Sequence, residues 1–402
     1  MPGALHGLRV IDMSRVLAGP WAAQLFGDYG AEVIKIERPK VGDDTRHWGP
    51  PWLPDADGAD TEEAGYFQST NRNKRSITVN LAHPLGQQLV RQLVTKSDIL
   101  LENYKVGSLK RYGLDKNALC DLNPRLIYCS ISAYGQSGSK SHEPGYDAMM
   151  QAAGGLMSIT GDGDKPAKVG VAIADIMTGM YAASAVLAAL SARERSGLGQ
   201  YIDVPMFDSQ VAWLANQSMN YLLTGTPPGR RGTAHPNIVP YQAFQTADGY
   251  MMLCVGNDRQ FTDCCAALQC PEIAESPRFS TNSARVENRD ELIPIIAKRL
   301  REKASDFWLD RFVSLHIPAG LISDLAEVFA NPLIEERQIV RKLQHALAGE
   351  VPTVANPARF SDTPVEYNLA PPLLGQHTSE VLKEVLGCSD DEIGNLYDAG
   401  AI

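Results

Sequence analysis

Segments of strand length and helix length alternate through the first 130 residues, and this alternation confines the fold to a parallel sheet covered by helices. Residues 8–13 are a short apolar run of strand character, 14–20 a turn, about 21–29 a helix and 31–37 a second strand. Two like-directed strands joined by a helix form a βαβ unit. The pattern recurs with a strand at 76–80, an amphipathic helix at 84–96 with Leu89 and Leu93 on one face, and strands at 98–102 and 126–131. Ligands of such sheets bind at the carboxyl ends of the strands. Those ends carry Arg38, Asn80, Asn103, Tyr104 and Lys105.

The texture changes at the Gly/Pro-rich stretch 224–229. Beyond it, 241–245 and 250–255 flank the turn 247–249 as an antiparallel hairpin, and helices are expected around 287–303 and 305–316. From about residue 330 the chain is again rich in proline (Pro352, Pro357, Pro364, Pro371, Pro372), as expected of a long return to the first domain. The expected organisation is an α/β fold. A large domain spans 1–224, a smaller α+β domain 225–329, and a C-terminal return 330–402.

The net charge of −10 argues against nucleic acid or an anionic membrane as partner. A polyanionic small molecule would have to meet a local basic cluster, and the first third offers Arg38, Arg72, Lys74, Arg75, Lys105, Lys110 and Arg111. The seven cysteines are odd in number and lack paired CxxC spacing, and the eight histidines stand singly, so no metal site is expected. The first turn has Gly19 followed by Pro20 in place of GxGxxG, which argues against a dinucleotide enzyme, and no GxSxG elbow occurs. Residues 171–192 are apolar enough to raise a membrane question, but Asp175 and Thr178 lie in the first turns, so a buried helix is expected. Met1 to Val10 lack the pattern of a signal peptide, and the expected location is the cytoplasm of a bacterium or, in a eukaryote, the mitochondrial matrix.

Asp175 opens that apolar helix and supports two readings. Asp is a favoured N-cap residue. A carboxylate at a buried helix N-terminus is also held ionised by the helix field and could act as a nucleophile.

The sequence resembles the family III CoA-transferases, which include formyl-CoA transferase, carnitine CoA-transferase and the α-methylacyl-CoA racemases. The resemblance is carried by eight segments in order: 16–20 (VLAGP), 30–38 (GAEVIKIER), 42–46 (GDDTR), 73–76 (NKRS), 102–104 (ENY), 144–147 (PGYD), 174–179 (ADIMTG) and 371–378 (PPLLGQHT). It implies a Rossmann-like large domain and a small domain joined by two linkers, with two chains threaded into an interlocked homodimer. It implies no permanently bound cofactor, coenzyme A thioesters as substrates, and Asp175 as the nucleophile. By position, the CoA contacts would be Leu17, Ala18, Arg38, Val79, Asn80, Asn103, Tyr104, Lys105 and Arg111. Tyr146, His235, Gly256, Asn257 and Gln260 would face the acyl groups, the last three on a glycine-containing loop that covers the site. Leu17, Ala82 and Pro144 depart from formyl-CoA transferase, which argues against its small acyl group as substrate. The racemases place His where this chain has Tyr146, and a phenol, with an ordinary pKa of about 10, is a poor base at neutral pH. That separates the transferase reading from the racemase alternative, and a requirement for Asp175 separates it from a non-catalytic CoA-binding protein. The segment 230–242 resembles the succinyl-CoA-dependent dicarboxylate enzymes, with itaconate, hydroxymethylglutarate or glutarate as acceptor.

Overall fold

In the computed structural model, which describes residues 1–55 and 57–402, six parallel strands make the centre of the first of two units. They are β1 (Arg9–Asp12), β2 (Glu32–Glu37), β3 (Lys74–Thr78), β4 (Ile99–Glu102), β5 (Ile127–Ser132) and β6 (Tyr201–Pro205), in the spatial order β6-β5-β4-β1-β2-β3. The chain starts at the middle of the sheet, builds outward to β3, then crosses back and builds outward to β6. This is the Rossmann-like doubly wound order, and its switch point lies between β1 and β4.

Both faces of the sheet are covered, so the strands are apolar on alternate and opposite positions alike. Val10, Val33, Ile99 and Leu101 pack on one side with helices α1 (Ala18–Asp28) and α4 (Ile173–Ser196) through Ala22, Phe26, Ala182 and Val186. Ile11, Ile34, Ile77 and Leu100 face the other side, against Val90 and Leu93 of α2 (Pro84–Val94). Helix α1 begins at Ala18, ahead of the expected residue 21. Pro20 is tolerated there because first-turn residues have no helical acceptor for an N–H. Helix α4 is long and apolar enough to cross a membrane, yet half of its most apolar stretch is buried within the protein.

The first unit comprises Met1–Leu156, Lys168–Thr226 and Glu335–Ile402, and the second Met157–Ala167 and Pro227–Ile334. The C-terminal segment is stitched to β3 and its flanks. Thr378 Oγ1 accepts the Thr78 N–H at 3.1 Å, Ala401 O accepts the Asn80 N–H at 2.8 Å, and Asn73 Nδ2 donates to Glu366 O at 2.8 Å.

In the second unit the hairpin forms as β7 (Tyr241–Gln245) and β8 (Tyr250–Cys254), with Tyr241 opposite Cys254, and β9 (Ala319–Leu321) adds antiparallel to β8. Its core gathers Phe244, Leu253, Phe261, Leu292, Trp308 and Phe312. Residues 157–167, which the sequence placed within the large domain, belong to this second unit. The cause is a local clip: Gly232 N–H donates to Gly161 O at 2.8 Å, and Arg230 Nε donates to Gly163 O at 2.8 Å.

Candidate active site

Asp175 is not the N-cap of α4. The cap position is Ala172, whose side chain has no polar atom to offer, and Asp175 is the third helical residue. The capping role falls to Asp147, at the start of helix α3 (Asp147–Ala153). Its Oδ1 accepts the N–H of Ala174 at 2.7 Å and of Asp175 at 3.4 Å, and its Oδ2 accepts Gln151 Nε2 at 2.7 Å. The helix end is therefore satisfied from outside, and the Asp175 carboxylate has no hydrogen-bond partner among the described residues.

The electrostatics also differ from expectation. A helix N-terminus favours the carboxylate, but burial of Asp175 and the like charge of Asp147 outweigh it, and the Asp175 pKa is pushed up to about 7. Tyr66, which the sequence did not single out, shares the environment: burial, then the charges of Asp175 and Asp147, push its hydroxyl up to about 12. If the Asp175 carboxylate acts as a nucleophile it must be ionised, and kcat/KM is then expected to fall about tenfold per pH unit below a limb near 7. Asp147→Asn keeps the capping acceptor and removes the like charge, so it should move the limb to lower pH. A pH–rate profile of both proteins, with no limb between pH 5 and 8 in the wild type, would exclude this assignment.

Asp175 opens onto a cavity of about 270 Å³ at the carboxyl end of the sheet, beside the β1/β4 switch point. Ala18, Asn103, Tyr104, Lys105 and Tyr146 line it with Asp175, so six of the residues singled out from sequence meet in one place. Arg15 and His142 line it too and were missed; each stands in a loop with no local pattern to mark it. Leu17 is buried at the N-cap of α1, next to the cavity. Asn103 braces the rim: its Oδ1 accepts the Arg15 N–H at 2.9 Å and its Nδ2 donates to Arg15 O at 2.7 Å.

Arg38, Val79, Asn80 and Arg111 lie outside this lining. Val79 is a core residue, and Asn80 Nδ2 donates to Gly400 O at 3.1 Å. Arg38 is exposed beyond β2, and Arg111 is exposed over the Tyr112 ring at 4.6 Å. The basic cluster is divided by role. Arg72 makes a two-bonded pair with Asp28 (2.8 and 2.6 Å), Lys74 pairs with Asp12, and Arg75 pairs with Glu32, Glu380 and Glu384. Those three hold the fold together. Arg38, Lys105, Lys110 and Arg111 form no ion pair among the described residues and remain available to an anion.

In the second unit, His235 is half-buried, and burial with the nearby Arg289 charge holds its pKa below the usual imidazole value. Its Nδ1 accepts the Asn237 N–H at 3.0 Å, which leaves the proton of the neutral ring on Nε2 as a donor. The segment of Gly256, Asn257 and Gln260 is the start of a helix, Asp258–Ala267. Asn257 Oδ1 accepts the Gln260 N–H at 2.9 Å and Gln260 Oε1 accepts the Gly256 N–H at 2.9 Å, so the two side chains brace their own loop. No group of three or more His, Cys, Asp or Glu side chains among the described residues is placed to hold a metal.

The chain is similar to known proteins along most of its length. Residues 5–378 match CoA-transferase family III. The succinate–glutarate CoA-transferase of Agrobacterium fabrum is 47% identical over 382 residues, 95% of each chain. The human succinyl-CoA:glutarate CoA-transferase is 42% identical over 400 residues, 99% of this chain and 90% of that one. The crystal structure of a CAIB/BAIF family protein from Brucella suis superposes with a TM-score of 0.83 at 44% identity, covering 96% of this chain and 100% of that one. With a parallel sheet of Rossmann-like order, a cavity at its switch point and family-wide similarity along nearly its whole length, the chain is a CoA-transferase and belongs to CoA-transferase family III.

Proposed function

We propose that this enzyme moves CoA from succinyl-CoA to a C4–C6 dicarboxylate such as glutarate, hydroxymethylglutarate or itaconate, with Asp175 as the nucleophile. The observation that carries the proposal is the Asp175 carboxylate itself: buried, without a partner, and facing a cavity. An Asp175 oxygen attacks the thioester carbonyl, the C–S bond breaks, and a succinyl–aspartyl anhydride and CoA thiolate form. The thiolate attacks the aspartyl carbonyl, the C–O bond breaks, and succinate leaves an aspartyl-CoA thioester. The acceptor carboxylate attacks that thioester, releasing the thiolate and forming the acceptor anhydride. Attack of the thiolate on the acceptor carbonyl then gives the new acyl-CoA and restores Asp175. Every intermediate is an activated acyl group, so water must be excluded, and the braced segment 256–260 is the proposed cover.

The names of the relatives support succinate and glutarate as the acid pair: both the Agrobacterium and the human proteins are succinate or succinyl-CoA:glutarate CoA-transferases. Such acids keep a second carboxylate, which is costly to desolvate without a donor or cation. We assign its recognition to His235, whose Nε2–H is free to donate. His235→Ala should lower kcat/KM for glutarate and succinate by about tenfold or more, as expected for losing a charge-assisted hydrogen bond. Butyrate should be a poor acceptor before and after. A panel of diacids and monoacids with succinyl-CoA as donor is the test, and equal losses for both classes would reject the assignment.

The CoA phosphates are assigned to the unpaired Arg38 and Arg111, with Lys105. Arg38→Ala or Arg111→Ala should raise the KM for the CoA ester about tenfold, and dephospho-CoA should blunt the penalty at whichever arginine meets the 3′-phosphate. Unchanged KM in both variants would move the nucleotide elsewhere. A homodimer is part of the same proposal. Leu222 and Leu223 are 71% and 78% exposed on a helix with no buried residue, and Leu325 is 76% exposed, a pattern expected of a contact surface. A solution mass of one chain would count against it.

A further inference from the structure

The turn that carries the chain from β1 into α1 contains an improbable backbone. Val16 has φ 71°, in the left-handed region where a β-branched side chain is a genuine outlier. Such a conformation persists only when its surroundings fix it. Here each neighbouring backbone group is taken by a side chain from a different part of the sheet edge. Ser14 O accepts Lys35 Nζ at 2.9 Å, both the N–H and the carbonyl of Arg15 are held by Asn103, and the Val16 N–H donates to Asp43 Oδ1 at 3.1 Å. The turn is also tight, since a Cβ on Gly19 would come within 2.3 Å of the Ser14 side chain.

We propose that Asp43, paired with Lys35, is a positioning residue that holds Val16 left-handed and thereby fixes the wall of the cavity that Asp175 also lines. Arg15, Val16 and Ala18 all belong to that wall. The pair is built for the task. Lys35 Nζ meets Asp43 Oδ2 at 2.9 Å with both side chains 0% exposed, while Asp43 Oδ1 also takes the N–H of Thr45 at 3.0 Å and its hydroxyl at 2.9 Å. Although burial favours its neutral form, the Lys35 charge holds Asp43 down at about 2, so its acceptor charge is present throughout the working pH range. Neither residue lines the cavity, and each acts through the backbone of the turn.

The test is a double-mutant cycle on kcat, with the acceptor that gives the highest wild-type rate. Asp43→Asn is expected to lower kcat about tenfold. Glycine adopts the left-handed region without a Cβ penalty, so in a Val16→Gly background the same Asp43→Asn change should cost less than about threefold. An equal loss in both backgrounds, or no loss in the first, overturns the proposal. Should Asp43→Asn fail to fold, Lys35→Met/Asp43→Leu replaces the pair with apolar groups of similar volume, a change such sites often tolerate, and should show the same background dependence. Val16→Gly alone gives an independent reading: relief of strain should leave Tm at or above the wild-type value, and a fall of more than about 3 °C would contradict the strain. The proposal rests on the cavity being the transfer site. The cycle reads overall transfer, so its failure is distinguishable from failure of the Asp175 assignment, which is read by trapping at that residue.

Discussion

Asp175→Ala is expected to lower kcat by at least about a thousandfold, because it removes the one buried carboxylate among the residues that line the cavity. The side chains that share the cavity include Tyr104, Tyr146, His142, Lys105, Ser132 and Ser141, and the carboxylates of Asp44 and Glu143. Asp44 is held by Arg15 at 3.0 Å, and neither of the two carboxylates has the burial of Asp175. CoA affinity should change little, since Arg38 and Arg111, the arginines assigned to its phosphates, lie outside the lining of the cavity that holds the carboxylate. The two effects are separable by measuring turnover alongside CoA binding by calorimetry. Loss of both together would mean that the substitution disturbs the fold of α4 rather than the chemistry.

The second large effect is on stability. Asp12→Ala is expected to destabilise the first unit by about 3–5 kcal/mol, because it strands a buried ammonium. Lys74 Nζ reaches Asp12 Oδ2 at 2.9 Å with both side chains 0% exposed, and its other acceptors are Pro20 O and Asn71 Oδ1, each at 2.9 Å and neither charged. Asp12 also accepts both the backbone N–H and the hydroxyl of Ser14, so the substitution loosens the turn leading to the cavity. Urea unfolding measures the loss. The paired change Asp12→Leu/Lys74→Met should recover most of it, since removing both charges leaves no ion unpaired. If the paired variant is as unstable as Asp12→Ala, the penalty comes from the Ser14 turn and not from the stranded lysine.

The parts of the fold that were legible from sequence are those written in local periodicity. The alternating segments at 8–13, 31–37, 98–102 and 126–131 correspond to strands Arg9–Asp12, Glu32–Glu37, Ile99–Glu102 and Ile127–Ser132, and the expected antiparallel hairpin forms within 241–255. What sequence could not show is which partner a charged residue finds across the sheet. Arg72, Lys74 and Arg75 have the same local look as Arg38 and Lys105, and only the fold brings Asp28, Asp12 and Glu32 to the first three. The same limit explains Asp175. Its position before an apolar helix invited an N-cap, whereas the cap comes from Asp147, 27 residues before Ala174 in the chain. The raised pKa of Asp175 follows first from its burial and then from that long-range approach of two carboxylates, neither of which a spacing rule predicts. Segment 157–167 is a further case, since its place in the second unit depends on contacts with Arg230 and Gly232.

The central claim is that the acyl group passes through Asp175. The most direct measurement is to mix the enzyme with succinyl-CoA alone, add borohydride or hydroxylamine, and map the modified residue by peptide mass spectrometry. Borohydride reduces an aspartyl thioester to the alcohol, and hydroxylamine converts an activated aspartyl carbonyl to a hydroxamate. The account predicts that the label falls on Asp175, that it requires succinyl-CoA, and that a good acceptor acid added before quenching changes its amount. A wild-type enzyme that turns over while carrying no label at Asp175, or carrying it at another carboxylate, would contradict the account.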